Sequence, residues 1–131
     1  MTIQDLADSG LFVLDNEGDE MDREITKCFC CDLLSVAMGK APAGCAWVTV
    51  MGNMNTLAVA SLTDAACVIM AEGLLLDQTA ATKAKMQGIA VFRTELPIFD
   101  AALAIHRMLL EQAGDKAGKP MSSLEAARQG L

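Results

Sequence analysis

Three closely spaced cysteines are the first residues whose type and spacing could do chemistry. Thiolates from Cys28, Cys30 and Cys31 could ligate a metal ion or an iron–sulfur cluster. The segment around them predicts a β-strand, on which residues 28 and 30 face one side and residue 31 the other. A four-thiolate site would therefore need Cys45 or Cys67 from other strands. Because free cysteine behaves as a small core residue, we predict no metal site and keep the first three thiols as the alternative.

The sequence lacks the patterns that catalysis or nucleotide hydrolysis would need. The segment from Gly114 to Pro120 has three residues between its glycines, where a phosphate-binding loop has four. Pro120 stands where a Ser or Thr would hold magnesium, and the segment follows a predicted helix. The single histidine, His106, lies within that helix, and no cysteine is spaced to act with it as nucleophile and base. We therefore predict no enzyme activity and no cofactor.

Polar residues at the starts of predicted helices are the best candidates for binding a small molecule. In parallel α/β sheets, ligands collect at the carboxyl ends of strands, beside the N-termini of helices. The segment 51–56 is the best of three such junctions, because a glycine permits close approach and polar side chains follow it. The candidate ligand-binding residues at the three junctions are Gly52, Asn53, Asn55, Thr56, Glu72, Thr94 and Glu95. Ordinary helix capping by the same residues is the alternative.

The elements that would position these residues alternate between apolar strands and helices. Strands are predicted at 46–51, 65–70 and 89–92, with a helix to Leu62 capped by Asn53 or Asn55 and a second helix between Asp77 and Gly88. The longest helix is predicted to open at 94–97 and to end near residue 110. This order predicts a layered α/β fold with a mostly parallel or mixed sheet and helices on both faces.

The two ends of the chain differ from this alternating middle part. Before residue 46 we predict a helix at 3–9, strands at 11–14 and 25–31 paired around Gly18, and a helix at 33–38 capped by Asp32. Residues 1–111 are predicted to form one domain. Residues 112–131 are predicted to be a polar linker followed by a short C-terminal helix or a disordered tail.

Charge and composition exclude several classes of partner. All of the net charge of −7 lies in the first 24 residues, which hold eight acids and one base; the remaining residues hold nine of each. Such an acidic segment, without a basic patch elsewhere, disfavours nucleic acid. No apolar run approaches the ~18 residues of a membrane span, and the first residues are unlike a signal peptide. We expect a cytoplasmic protein that binds neither nucleic acid nor membrane.

Several blocks of residues 1–110 together resemble the DRTGG domain family. The first block is Asp22-Arg23-x-Ile25-Thr26 followed by residues 32–35, and the others lie at 47–64 and at 88–96. The residues that match the family motif are Asp22, Arg23, Thr26, Asp32 and Ser35. The chain departs from the motif at Lys27 and Cys28, where the family name promises two glycines. A contact that depends on those glycines would be lost or altered here.

The resemblance implies a fold and a general kind of function. DRTGG domains are similar to the N-terminal domain of HPr kinase/phosphorylase and share its α/β fold with N-terminal domains of Mur ligases. In regulated pyrophosphatases they lie between CBS domains and help form dimers, and small stand-alone versions occur beside iron-only hydrogenase genes. The resemblance therefore implies a non-catalytic regulatory or assembly domain, a homodimer, with a protein partner in hydrogenase-linked metabolism. A nucleotide-type small-ligand sensor and a redox or iron–sulfur accessory protein stay open as alternatives.

Overall fold

The computed structural model describes residues 1–117, which form a five-stranded sheet flanked by five helices. The elements in chain order are α1 (Ile3–Asp8), β1 (Val13–Asn16), β2 (Lys27–Cys30), α2 (Leu34–Lys40), β3 (Cys45–Thr49), α3 (Met54–Leu62), β4 (Cys67–Met70), α4 (Gln78–Gln87), β5 (Ala90–Arg93) and α5 (Ile98–Ala117). The strand order across the sheet is β1-β5-β4-β3-β2, with β1 antiparallel to β5 and all other pairs parallel. The predicted layered α/β fold with a mixed sheet is confirmed.

The sheet separates two apolar cores of different make-up. On one face α2, α3 and α4 lie side by side, and small residues such as Ala60 and Ala84 pack there with Trp47 and Val91. On the other face α1 and α5 cover the sheet, and Phe92 is fully buried in that core. Every residue of β3 and β4 is buried, as expected for parallel strands covered on both sides. Because β2 to β5 are parallel, their carboxyl ends lie along one side of the sheet, called the carboxyl edge below. Their amino ends lie along the opposite side, called the amino edge.

Helix ends follow the local signals of the sequence. Asn53 caps α3 by accepting hydrogen bonds from the backbone N–H groups of Asn55 and Thr56. Asp77 caps α4 through the N–H of Ala80, and Gly88 ends that helix in the left-handed conformation, with φ 63°. These predicted boundaries are confirmed.

The predicted capping role of Asp32 is wrong. The N-cap of α2 is Leu33, and no side chain accepts a hydrogen bond there. Asp32 Oδ1 instead accepts from Thr49 Oγ1 at 2.7 Å and from the backbone N–H of Val50 at 3.0 Å. The buried Thr49 hydroxyl needs a partner, and β2 and β3 are parallel neighbours whose carboxyl ends bring the two residues together.

The predicted strand pair around Gly18 is also wrong, since β1 and β2 are the two outermost strands of the sheet and do not pair with each other. The segment between them crosses the amino edge, where the N–H of Asp19 donates to the carbonyl of Gly88 at 3.0 Å. A side chain at position 18 would collide with the backbone of Ala90, so only glycine fits this crossing. The prediction of an antiparallel edge strand holds for β1 alone.

The last helix is longer than predicted. α5 continues through Ala117, so residues 112–117 of the predicted linker are helical. A single glycine inside a helix costs only about 1 kcal/mol, and Gly114 is buried within this one. The predicted short C-terminal helix or tail, and residues 118–120 of the glycine–lysine segment ending at Pro120, lie outside the described residues. Within residues 1–117, no helix is both long and apolar enough to cross a membrane.

Candidate functional site

The predicted ligand-binding residues do gather at the carboxyl edge of the sheet. Gly52 and Asn53 follow β3, Glu72 follows β4, and Thr94 and Glu95 follow β5, in neighbouring positions. The sequence therefore located this edge correctly. What the residues do there is set by their contacts with the rest of the chain.

The space beside Gly52 is occupied by the chain itself. A Cβ at this position would collide with the backbone carbonyl of Leu75, in the loop between β4 and α4. The carbonyl of Gly52 accepts a hydrogen bond from the N–H of Asp77 at 2.8 Å. The close approach that this glycine permits is thus made by a loop of the protein, which fixes the start of α4.

The polar residues at the start of α3 have structural partners or are buried. The side-chain oxygen of Asn53 accepts from Asn55 N at 3.0 Å and from Thr56 N at 3.3 Å. The side chain of Thr56 is completely buried, and its Oγ1 makes no hydrogen bond within the described part of the chain. Of this group, only Asn55 presents an exposed side chain.

A backbone clamp joins the loops that follow β4 and β5. The N–H of Glu72 donates to the carbonyl of Leu96, and the N–H of Gly73 donates to the carbonyl of Thr94, both at 2.9 Å. Glu72 has a φ of 61°, which is uncommon for a residue with a side chain. A Cβ at position 73 would collide with the carboxylate of Glu95. The backbone donors that could bind an anion here are therefore already used.

The residues of the family motif tie the N-terminal segment to the starts of two strands. Arg23 makes a two-pronged ion pair with Asp64, with both N···O distances 2.9 Å, and also donates to the Asp64 carbonyl. The hydrogen bonds from Arg23 lower the pKa of the Asp64 carboxyl. Thr26 Oγ1 donates to the carbonyl of Ala43 at 2.7 Å, and the Thr26 side chain packs where a side chain at position 44 would otherwise lie.

These contacts give Arg23 and Thr26 a structural role. They lie at the amino edge and in the turn before β3, away from the candidate ligand residues. Asp22 and Ser35 are exposed. Asp32, the remaining motif residue, holds the ends of β2 and β3 together as described above. Lys27 and Cys28 take regular places in β2, opposite Cys45 and Ala46 of β3.

The five cysteines do not converge on one point. Cys28 packs against the core beneath α1 and α5, whereas Cys31 lies on the other face and donates to the carbonyl of Leu33 at 3.3 Å. Cys45 and Cys67 are fully buried, also on opposite faces. Among the side chains that the structure describes, no three metal-ligating ones are grouped so that they could hold an ion.

The chemical state of the thiols differs between the buried and the exposed ones. Burial raises the pKa of the Cys45 thiol to about 11 and also raises that of Cys67. A hydrogen bond between the Cys28 and Cys30 side chains raises the pKa of the first thiol and lowers that of the second. Cys30 is exposed on the edge strand β2, so it is the thiol best placed to react with a reagent from solvent.

Sequence reasoning missed a groove between α4 and the edge strand β1. It encloses about 460 Å³ and brings together Asp15, Lys85 and Arg93 with the apolar side chains of Leu75 and Leu76. No sequence motif marks these residues, because they come from four separate segments. Arg93 at the end of a buried strand was the one local signal, since a cation there must reach solvent or a partner.

The carboxyl edge also carries a series of exposed apolar side chains, called the apolar edge below. Its members are Val13, Leu33, Val36, Met54, Leu74 and Leu75. They come from the start of β1 and from the segments that follow β2, β3 and β4. Leu75 lines a common cavity with Val13, and its backbone carbonyl lies against Gly52.

No protein-family model matches this chain, and no curated protein matches it either.

Proposed function

We propose that this chain is a non-catalytic, regulatory type of domain that acts by assembly, pairing with a second copy of itself through the apolar edge. The observation that carries the proposal is the concentration of exposed large apolar residues on that one edge. Contiguous apolar surface of several hundred Å² on a soluble protein is typical of an interaction site.

The distribution of charge favours a second copy as the partner. The acidic segment that carries the net charge ends in residues 17–24, which cross the amino edge, opposite the apolar edge. Two copies that meet at their apolar edges keep these acidic segments apart, whereas contact through the amino edges would bring like charges together. Asp15, the acid of this segment nearest the apolar edge, is neutralised by Arg93 at 2.7 Å.

The resemblance to the DRTGG domain supports the same proposal. That domain helps form dimers in regulated pyrophosphatases, and three of the residues that match its motif, Arg23, Thr26 and Asp32, make structural contacts. At the carboxyl edge the Thr49 hydroxyl has the Asp32 carboxylate beside it, but the Thr49 side chain is completely buried. An assembly role needs only the exposed apolar side chains that the carboxyl edge provides.

The proposal is tested by measuring mass in solution over a range of concentrations. We expect sedimentation or light scattering to give twice the 13.8 kDa of one chain. Leu33→Ser and Leu75→Ser, at positions 58% and 61% exposed, should each shift the equilibrium towards monomer. The matched control is Leu62→Ser, at a position 71% exposed at the end of α3, which should leave the mass unchanged. A monomer at every concentration, or equal effects of all three variants, would refute the proposal.

A further inference from the structure

The groove lies between α4 and β1, an outermost strand of the sheet. α2, α3 and α4 follow the parallel strands, while β1 adds a fifth strand outside α4. On this side α4 covers Val91 of β5 and contacts β1, and the groove lies between α4 and β1 and reaches Arg93 at the end of β5. The groove, of about 460 Å³, falls within the size range of small-molecule sites.

A β-bulge places a carboxylate against Arg93 at the floor of the groove. Leu14 pairs with Phe92 and Asn16 pairs with Val91, so Asp15 is an extra residue in β1. Asp15 Oδ1 accepts a hydrogen bond from Arg93 Nε at 2.7 Å. This bond holds the guanidinium by one side and leaves its two terminal nitrogens without a hydrogen bond to any residue that the structure describes.

The wall of the groove supplies a second cation and an apolar surface. Lys85 lies on α4, is exposed, and makes no ion pair with the described part of the chain. Leu75, Leu76 and Ala81 line the same space. With one carboxylate and two cations, the groove carries one net positive charge in a protein that is otherwise acidic.

We propose that this groove binds a small monocarboxylate with a short apolar chain. The free fork of the Arg93 guanidinium matches a carboxylate in shape and charge, and Lys85 supplies a second point of attraction. The apolar chain of the ligand lies against Leu75 and Leu76. The proposal that the groove binds a monocarboxylate does not depend on the proposed dimer, although Leu75 belongs to both surfaces.

Binding is tested with hexanoate on the full chain labelled with ¹⁵N, by following backbone amide signals during titration. We expect saturable shifts of the amides of Leu76, Ala81, Lys85 and Arg93, with a dissociation constant of about 1 mM for so small a ligand. Hexanol, which keeps the apolar chain without the charge, should bind at least about tenfold more weakly. Inorganic phosphate, which keeps charge without the apolar chain, should also bind more weakly than hexanoate.

Variants separate this site from general attraction of anions. Lys85→Gln and Arg93→Gln should each weaken hexanoate binding about five- to tenfold. The matched control is Lys83→Gln, because Lys83 lies on the same helix but lines a different cavity. Ala81→Met should block the groove without removing a charge, and it replaces Arg93→Gln as the test if loss of the Asp15 pair unfolds the protein. Equal binding by Lys85→Gln and Lys83→Gln, equal binding of hexanol, or shifts scattered over the surface would overturn the proposal.

Discussion

Removing the Asp32 carboxylate tests whether this residue joins two strands or caps a helix. Asp32 Oδ1 accepts from Thr49 Oγ1 at 2.7 Å, and the Thr49 side chain is completely buried. Asp32→Ala would leave that hydroxyl without an acceptor, which typically costs about 1–3 kcal/mol. The N–H of Val50 also loses a partner, but water can replace it because that site is exposed. We expect a loss of about 2 kcal/mol in the free energy of unfolding.

A double-mutant cycle with Thr49→Val separates this contact from a capping effect. If the two side chains are partners, removing both should cost less than the sum of the single losses, with a coupling energy of about 1 kcal/mol. If Asp32 instead stabilised the start of α2, the losses would add within about 0.5 kcal/mol. Asp32→Asn, which keeps an oxygen acceptor at the same place, should recover most of the stability.

Urea unfolding followed by circular dichroism measures these free energies, and a second cycle provides the control. Thr2 caps α1 by accepting from the N–H of Asp5 at 3.0 Å, close to the amino edge. Thr2→Ala should cost about 1 kcal/mol and should add to Thr49→Val without coupling. An additive Asp32–Thr49 cycle would refute the reasoning, as would an Asn variant no more stable than the Ala variant.

Two further predictions concern glycines and acid stability. Gly52→Ala should destabilise the protein by at least about 1–3 kcal/mol, because the added Cβ collides with the Leu75 carbonyl. Gly39→Ala, in open space within α2, should stabilise the protein by up to about 1 kcal/mol. Thermal unfolding of both variants checks this, and a change of the same sign in both would contradict it. The Asp64 pKa is lowered in the folded protein, so the Arg23–Asp64 pair stabilises above the ordinary value of 3.8, and its contribution is lost as the pH falls through the lower folded value. Because Asp64 is exposed, we expect Arg23→Gln to lose less than about 1 kcal/mol of this pH-dependent part at neutral pH, and the pH-dependent part should be gone at pH well below the folded value. The hydrogen bond from Arg23 to the Asp64 carbonyl does not change with pH, and a difference between the proteins that grows on acidification would contradict this sign.

Features that depend on neighbouring residues were predictable from the sequence. Asn53, Asp77 and Gly88 mark helix ends because a cap bonds within four residues of itself. The buried strands β3 and β4 were predictable as continuous apolar segments. The carboxyl edge follows from the alternation of strands and helices, so the region of the candidate ligand residues could also be predicted.

Features that depend on distant residues were not predictable in the same way. Asp32 is of a residue type that often caps helices, yet its partner Thr49 lies 17 residues further along the chain. Asp15 and Arg93 meet across 78 residues, through a bulge that no local pattern marks. Gly52 signals close approach, but only the folded loop shows that the approaching group is Leu75 rather than a ligand. The carboxyl edge was predictable, but not which of its spaces the protein fills itself.

The position of β1 has a consequence for the order in which the protein can form during synthesis. β1 is the first strand to leave the ribosome, but its partner in the sheet is β5, which ends at Arg93. The other four strands join neighbours in chain order, so β1 is the only one in the described sheet that must wait for most of the chain. During that interval its apolar residues Val13 and Leu14 are unpaired. The charge of Asp15, the next residue of the strand, opposes association with other nascent chains. The same carboxylate that later binds Arg93 thus disfavours aggregation through β1 before β5 has been synthesised.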